Sequence, residues 1–172
     1  MMGNRCRFET DTIMVNTLEN KEMNPISQDR VSVIEINGYL FGVDILKSKE
    51  VFPLPSFTPV PNVQAYVVGV FNLRGEIYPL VDISPIIGLE PKPISSSDMV
   101  FQIGEGHSGV GILTDRVHGV QAISSRSIKS PRGSIPPQMQ EYVEGMVSDR
   151  STDIYLLNID RVISALTSET FK

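Results

Sequence analysis

At 172 residues, with 41% hydrophobic and 20% charged side chains, the chain suits one domain or two small lobes sharing an interface, and it can build a core. Tryptophan is absent and aromatics make up only 7%, so aliphatic side chains must fill that core. The net charge of −5 argues against nucleic acid as the main partner, and a single cysteine, Cys6, excludes an internal disulfide and a Cys-based zinc site.

Residues 1–29 are polar and aperiodic and read as a flexible N-terminal tail, with no apolar h-region of a signal peptide. The apolar runs beyond it are strand-sized, far short of the roughly 18 residues of a membrane span. Cytoplasm without membrane insertion is the expectation. In chain order, β-branched and aromatic residues bounded by turn formers predict strands near 31–36, 39–43, 48–52, 67–72 and 76–82.

Between the last two stands Asn72-Leu73-Arg74-Gly75, flanked by apolar runs in GVFNLRGEIYPLVDI. Asn suits the first position of a type I turn and Gly the fourth, where a positive φ forms a bulge. The turn requires neither Leu73 nor Arg74. One reading leaves Arg74 solvated with Leu73 folded back on the sheet; the sharper one holds an apolar residue and a five-donor guanidinium at a rigid tip for another protein.

Ser84 before Pro85 predicts an N-cap and a short helix ending near Gly88, and the Pro/Ser-rich stretch Glu90–Asp98 reads as the crossover. A second set of strands is expected near 98–103, 109–115, 117–123, 142–148 and 153–159, with a long loop over Ser125–Gln138. Asp160 is expected to open a final helix with Val162, Ile163 and Leu166 on one face, and 168–172 to form a tail.

The halves echo each other. IEINGYLFGVDIL lies against FQIGEGHSGVGIL at an offset of 67, from Ile36 to Ile103 (103 − 36) and from Gly42 to Gly109 (109 − 42). EIYPLVDI resembles DIYLLNI, with Gly69 and Arg74 matched by Gly145 and Arg150. Five short strands per lobe favour small closed barrels, because closure removes unpaired edges. A lobe of roughly 65 residues buries only about 60% of its unfolded surface, so two should pack over an apolar seam and leave a groove.

No reactive constellation emerges. Gly104–Gly109 matches G-x-G-x-x-G, yet a strand-like run follows where a nucleotide fold needs a helix, and no acid stands between Asp115 and Glu141. His107 reads as a wet turn residue and His118 as strand surface; Asp44, Asp82 and Asp115 read as turn or capping acids. Arg116, Arg126, Lys129 and Arg132 are a cationic run without interleaved aromatics, which fits a solvated face or an acidic protein better than nucleic acid. Neither a catalytic residue nor a cofactor nor a metal is expected.

GVFNLRGEIYPLVDISPIIGL, Gly69 to Leu89, resembles the G-V-x-N-L-R-G-x-x-x-P-x-x-D core of the CheW-like family, the coupling proteins of bacterial chemotaxis. YLFGVDILKSKEV upstream, and GILTDRVHGV and YVEGMVSDRSTDIYLLNIDRVI downstream, are similar to that family's remaining segments, so the resemblance runs from about Val31 to Ala165. It implies an all-β fold of two SH3-like five-stranded barrels with short helices at the crossover and C-terminus, over a domain at 30–167. The first barrel, about 30–90, would be completed by the C-terminal segment, and the second would span about 98–160. It also implies a non-enzymatic adaptor that docks a chemoreceptor's cytoplasmic tip and the regulatory domain of a CheA-type histidine kinase, recruited to membrane-associated receptor arrays. Carried over by position, the receptor-facing groove includes Glu50, Asn72, Arg74 and Met99, with Leu73 and Gly75 shaping the tip. A coupling protein of a non-chemotactic or surface-motility kinase array is the alternative, and the lack of a receiver-like extension after Lys172 is the expectation against a fused phosphorylatable form. The sequence departs from the family pattern at Asn62-Val63-Gln64-Ala65, where Asn-Thr-Pro-Ala is frequent, and at His118-Gly119, where Ser-Asp is frequent.

Overall fold

The computed structural model describes residues 30–104 and 106–169; the N-terminal tail reading, Cys6, Glu105 and residues 170–172 fall outside the described residues. The strands are β1 (Arg30–Ile36), β2 (Tyr39–Asp44), β3 (Ser48–Pro53), β4 (Phe57–Thr58), β5 (Val67–Leu73), β6 (Glu76–Val81), β7 (Met99–Ile103), β8 (Val110–Thr114), β9 (Arg116–Ala122), β10 (Val143–Asp149) and β11 (Thr152–Leu157), followed by the helix α1 (Ile159–Glu169). Every expected strand is present to within two residues at each end. Only β4, two residues long, is too short to leave a pattern in the sequence.

The strands form two sheets, ordered β10-β11-β2-β1-β9 and β3-β7-β8-β6-β5-β4. Without β4 each sheet has five strands in the same plan: an antiparallel hairpin (β10-β11 or β5-β6) joins in parallel to the second strand of another hairpin (β2-β1 or β8-β7), and one further strand closes the row. The echo seen in the sequence is therefore a structural repeat. Gly69 and Gly145 each sit at a register shift, opposite Leu80 and Leu156 respectively.

The repeats are, however, exchanged. The first sheet takes β1-β2 from the N-terminal half and β9, β10 and β11 from the C-terminal half, and the second takes β3, β5 and β6 with β7 and β8. Reading the strands of each half as one lobe overlooked this, because a parallel joint such as β11-β2 is reached by a long crossover that leaves no local signal. The constant offset of 67 also ends at the hairpin. Ile36 closes on Tyr39, but Ile103 closes on Val110 over a longer connection that carries a 3-10 turn at Gly106–Ser108.

Side-chain alternation along the strands builds three cores. Val31, Val33, Val147, Ile154 and Leu156 fill the first sheet, and Phe71, Tyr78, Leu80, Val100 and Leu113 the second. The largest cluster lies between them: Ile34, Ile36, Phe41 and Tyr155 from one sheet meet Val81, Phe101, Ile103 and Ile112 from the other, with Ile159, Val162 and Leu166 of α1 alongside. On β7, Val100 serves the inner core and Phe101 the seam; on β11, Ile154 and Leu156 point one way and Tyr155 and Leu157 the other. Such strands have no wet face, which is why all five residues of β8 are buried.

Two termini differ from expectation. Asn158, not Asp160, caps α1: its Oδ1 accepts the Arg161 N–H at 3.0 Å, and the helix continues through Glu169 into the expected tail. Ser84 to Gly88 forms a run of hydrogen-bonded turns in place of the expected short helix. There Asp82 is the acceptor, taking the Ser84 N–H at 2.9 Å and the Lys92 N–H at 2.7 Å, while Gly88 stops the run at φ +81°.

The crossover is held by charge. The Lys92 ammonium, with only 1% of its side chain exposed, lies 2.7 Å from Asp98 and 3.1 Å from Asp115. Asp115 in turn accepts the Asn37 N–H at 2.6 Å, which ties the β1-β2 tip of one sheet to the end of β8 in the other. Removing one partner of a buried pair strands the other charge in a medium that solvates it poorly. Lys92→Ala is therefore expected to lower stability by about 3–5 kcal/mol, measured as a fall in the urea midpoint at unchanged m-value.

Candidate functional site

The β5-β6 ladder runs to Leu73 opposite Glu76, so the tip has only two loop residues, Arg74 and Gly75. Both have positive φ, +53° and +89°. That is the type I′ signature, whose twist matches the strands, and it replaces the type I turn with a bulge expected from the spacing. Asn72 belongs to the ladder opposite Ile77, and its Oδ1 accepts the Gly75 N–H at 3.0 Å.

Two other hairpins close in the same way. Asn37-Gly38 carries the usual composition, with φ of +50° and +79°, while Arg150-Ser151, at +44° and +77°, is the repeat's counterpart of Arg74-Gly75. An arginine in the left-handed region costs about 1 kcal/mol relative to its ordinary conformations. Nothing in the ladder asks for it.

Arg74 leans over a groove of about 680 Å³. One wall comes from β3, where a register shift precedes Glu50 and sets it opposite Gln102 of β7. The Arg74 guanidinium meets Glu50 at 2.7 Å, with 73% of the arginine side chain and 32% of the glutamate exposed. A pair this wet adds little to stability. The other wall comes from β6, where Glu76 and Tyr78 share a face, with Gly106 at the rim. The Tyr78 hydroxyl donates to Glu76 Oε2, with Gln102 and Gly106 lining the groove beside it. The bond to Glu76 holds the phenol proton and raises the Tyr78 pKa above its ordinary value, with burial adding to the effect.

Of the residues the resemblance implied, Glu50, Leu73 and Arg74 line the groove and Gly75 shapes its tip. Asn72 holds the turn without lining it. Met99 sits at the far end of β7, opposite Pro53 and Thr114, and does not reach it. Leu73 packs with Phe71, Tyr78 and Leu80 in the inner core of the second sheet, not at the junction between the sheets, because β5 turns that face inward. Lys49, Glu76, Tyr78 and Gln102 were missed. The i, i+2 spacing of Glu76 and Tyr78 could have suggested a shared face, but the β3-β7 register that adds Gln102 has no sequence signal.

The remaining candidates have local partners. Asp44 Oδ1 accepts the Leu46 N–H at 2.9 Å, as a turn acid does. His118 is the extra residue of a bulge on β9 and meets Glu35 at 2.7 Å. A strand, β8, follows the glycines of Gly104–Gly109. In the basic loop, Lys129 exchanges backbone hydrogen bonds with Met146 at 2.8 and 2.9 Å, covering the edge of β10. Among the described residues no three His, Cys, Asp or Glu side chains converge as metal ligands.

Comparison with known proteins gives the family of the chain. The model of the CheW-like domain family matches residues 30–167. The chain is 28% identical over 144 residues to the chemotaxis protein CheW of Treponema pallidum, covering 80% of this chain and 84% of that protein. It is also 28% identical over 122 residues to the chemotaxis protein CheW of Rhizobium meliloti, 71% of this chain and 79% of that one. The crystal structure of the scaffolding protein TtCheW from Thermoanaerobacter tengcongensis superposes with a TM-score of 0.64 at 26% identity, over 75% of this chain and 88% of that one.

Two measurements check the site's geometry. Gly75→Val is expected to destabilise the protein by about 1–3 kcal/mol through its backbone alone, since nothing lies within 4 Å of where a Cβ would stand; thermal melting reads it. Glu76→Gln removes the charge that holds the phenol proton, so a UV-monitored phenolate titration should show the Tyr78 pKa falling back towards its ordinary value.

Proposed function

The chain belongs to the CheW-like domain family and is a chemotaxis coupling adaptor; from that premise we propose that the groove under Arg74 is where a chemoreceptor's cytoplasmic tip docks. Other exposed parts of the two sheets meet the regulatory domain of a CheA-type histidine kinase, and the adaptor performs no reaction of its own. The observation that carries this reading is Arg74 itself. A guanidinium 73% exposed is held in a costly backbone conformation on a two-residue tip, where the fold would be served as well by asparagine. Strain that the scaffold does not need belongs to recognition. Glu50 keeps the fork aimed until a partner carboxylate or carbonyl competes for it.

The surroundings suit the task. The tip stands on a hairpin whose root is packed into the inner core, so the arginine is presented with little ordering cost on binding. Among the described residues no helix is long and apolar enough to cross a membrane. Work in the cytoplasm, with recruitment to membrane-associated arrays through the receptor, is the localisation that follows. No feature of the fold favours the alternative of a non-chemotactic or surface-motility array.

Two variants separate recognition from folding. Arg74→Ala is expected to weaken binding of a purified receptor cytoplasmic fragment by about 2 kcal/mol in a calorimetric titration, with an unchanged melting curve. Arg74→Asn reproduces the Asn-Gly composition of the β1-β2 tip, so it should keep or raise the melting temperature while losing the same affinity. Wild-type affinity in both would take Arg74 out of the interface. Co-sedimentation with receptor and kinase, scored by kinase activity, tests the coupling itself.

A further inference from the structure

The groove has a second charged wall that the receptor reading does not use. Tyr78 is clamped: its ring stacks on Phe71 with centroids 5.9 Å apart and lies against Gly109, where a Cβ would come within 2.3 Å of it. Gln102, only 4% exposed, and Gly106 line the groove beside the Tyr78 hydroxyl. With its ring so fixed, the hydroxyl has one proton to give, and it gives it to Glu76. The phenol therefore holds an exposed carboxylate of the groove lining by one oxygen, Oε2, and leaves Oε1 outside that bond. Arg74 is already neutralised by Glu50, whereas the described contact of Glu76 is to a neutral phenol. A carboxylate so held is a preformed acceptor for a cation.

We propose that Glu76 is a specificity-determining contact that takes a lysine or arginine side chain of the segment docked beside Arg74, and that Tyr78 is its positioning residue. The inference rests on the receptor reading of the groove and adds to it the chemistry of the occupant: a segment presenting an acceptor to Arg74 and a base to Glu76. Opposite charges on one hairpin, Arg74 at the tip and Glu76 at the first pair below it, would fix the direction in which that segment lies, since a reversed segment would set like charges together.

The test is a titration of the full chain with a purified chemoreceptor cytoplasmic-tip fragment at low and at physiological salt, with melting curves as the folding control. Glu76→Gln is expected to weaken binding about 5–10-fold at low salt and to flatten the salt dependence. Tyr78→Phe, which keeps the ring but releases the carboxylate, should move both readouts the same way by a smaller factor, and Glu76→Asp should restore the salt slope in part. If Glu76→Gln matches wild type in affinity and slope while Arg74→Ala is weakened, this inference falls and the receptor reading stands. If neither variant changes anything, both fall.

Discussion

The structure depends on strands that are buried on both faces. β7, β8 and β11 send alternate residues into an inner core and into the seam between sheets, so neither sheet completes its burial without the other. Small sheets of this size cannot exclude enough water singly. The shared seam, with Phe41, Phe101 and Ile112 fully buried in it, turns two marginal units into one cooperative body. The exchange of hairpins between the repeats follows the same logic, because each sheet holds segments from both halves of the chain and cannot form from one alone.

That rigidity is what lets the proposed recognition site consist of so little. An interface contact gains when its side chains are ordered before the partner arrives. Here the Arg74 tip is a two-residue loop on a packed hairpin, and Glu76 is held by a phenol whose ring is itself packed against Phe71 and Gly109. The buried Lys92 serves at the opposite scale, joining the crossover, the β1-β2 tip and the end of β8 through two aspartates and a backbone donor. Asp82 and Asp115, read from the sequence as turn or capping acids, accept backbone donors, and Asp115 also meets Lys92.

Strand existence was legible almost throughout, because β-branched runs between glycine and proline punctuation carry their own signal. So was the repeat, through Gly69 and Gly145, whose bulges recur at matching places. The turn at the tip was misread by one residue, since Asn and Gly fit two turn types and only the ladder's register chooses between them. The candidate site was half legible. Arg74 and Leu73 stood out as residues the turn did not need, and Glu50 came from the resemblance, but Met99 lies away from the groove while Tyr78 and Gln102 gave no sign of belonging to it.

By itself the sequence determined the all-β class, the duplicated hairpin, the exposed arginine at a glycine turn and the likeness to a coupling family, because each of these resides in local pattern or in residue identity. Only the tertiary structure decided which hairpins share a sheet, which face of β5 Leu73 occupies, and that Glu50, Glu76 and Gln102 surround one groove. Those outcomes depend on strand pairing across long separations, whose energy comes from burying both faces of a strand at once and is invisible to any window of neighbouring residues.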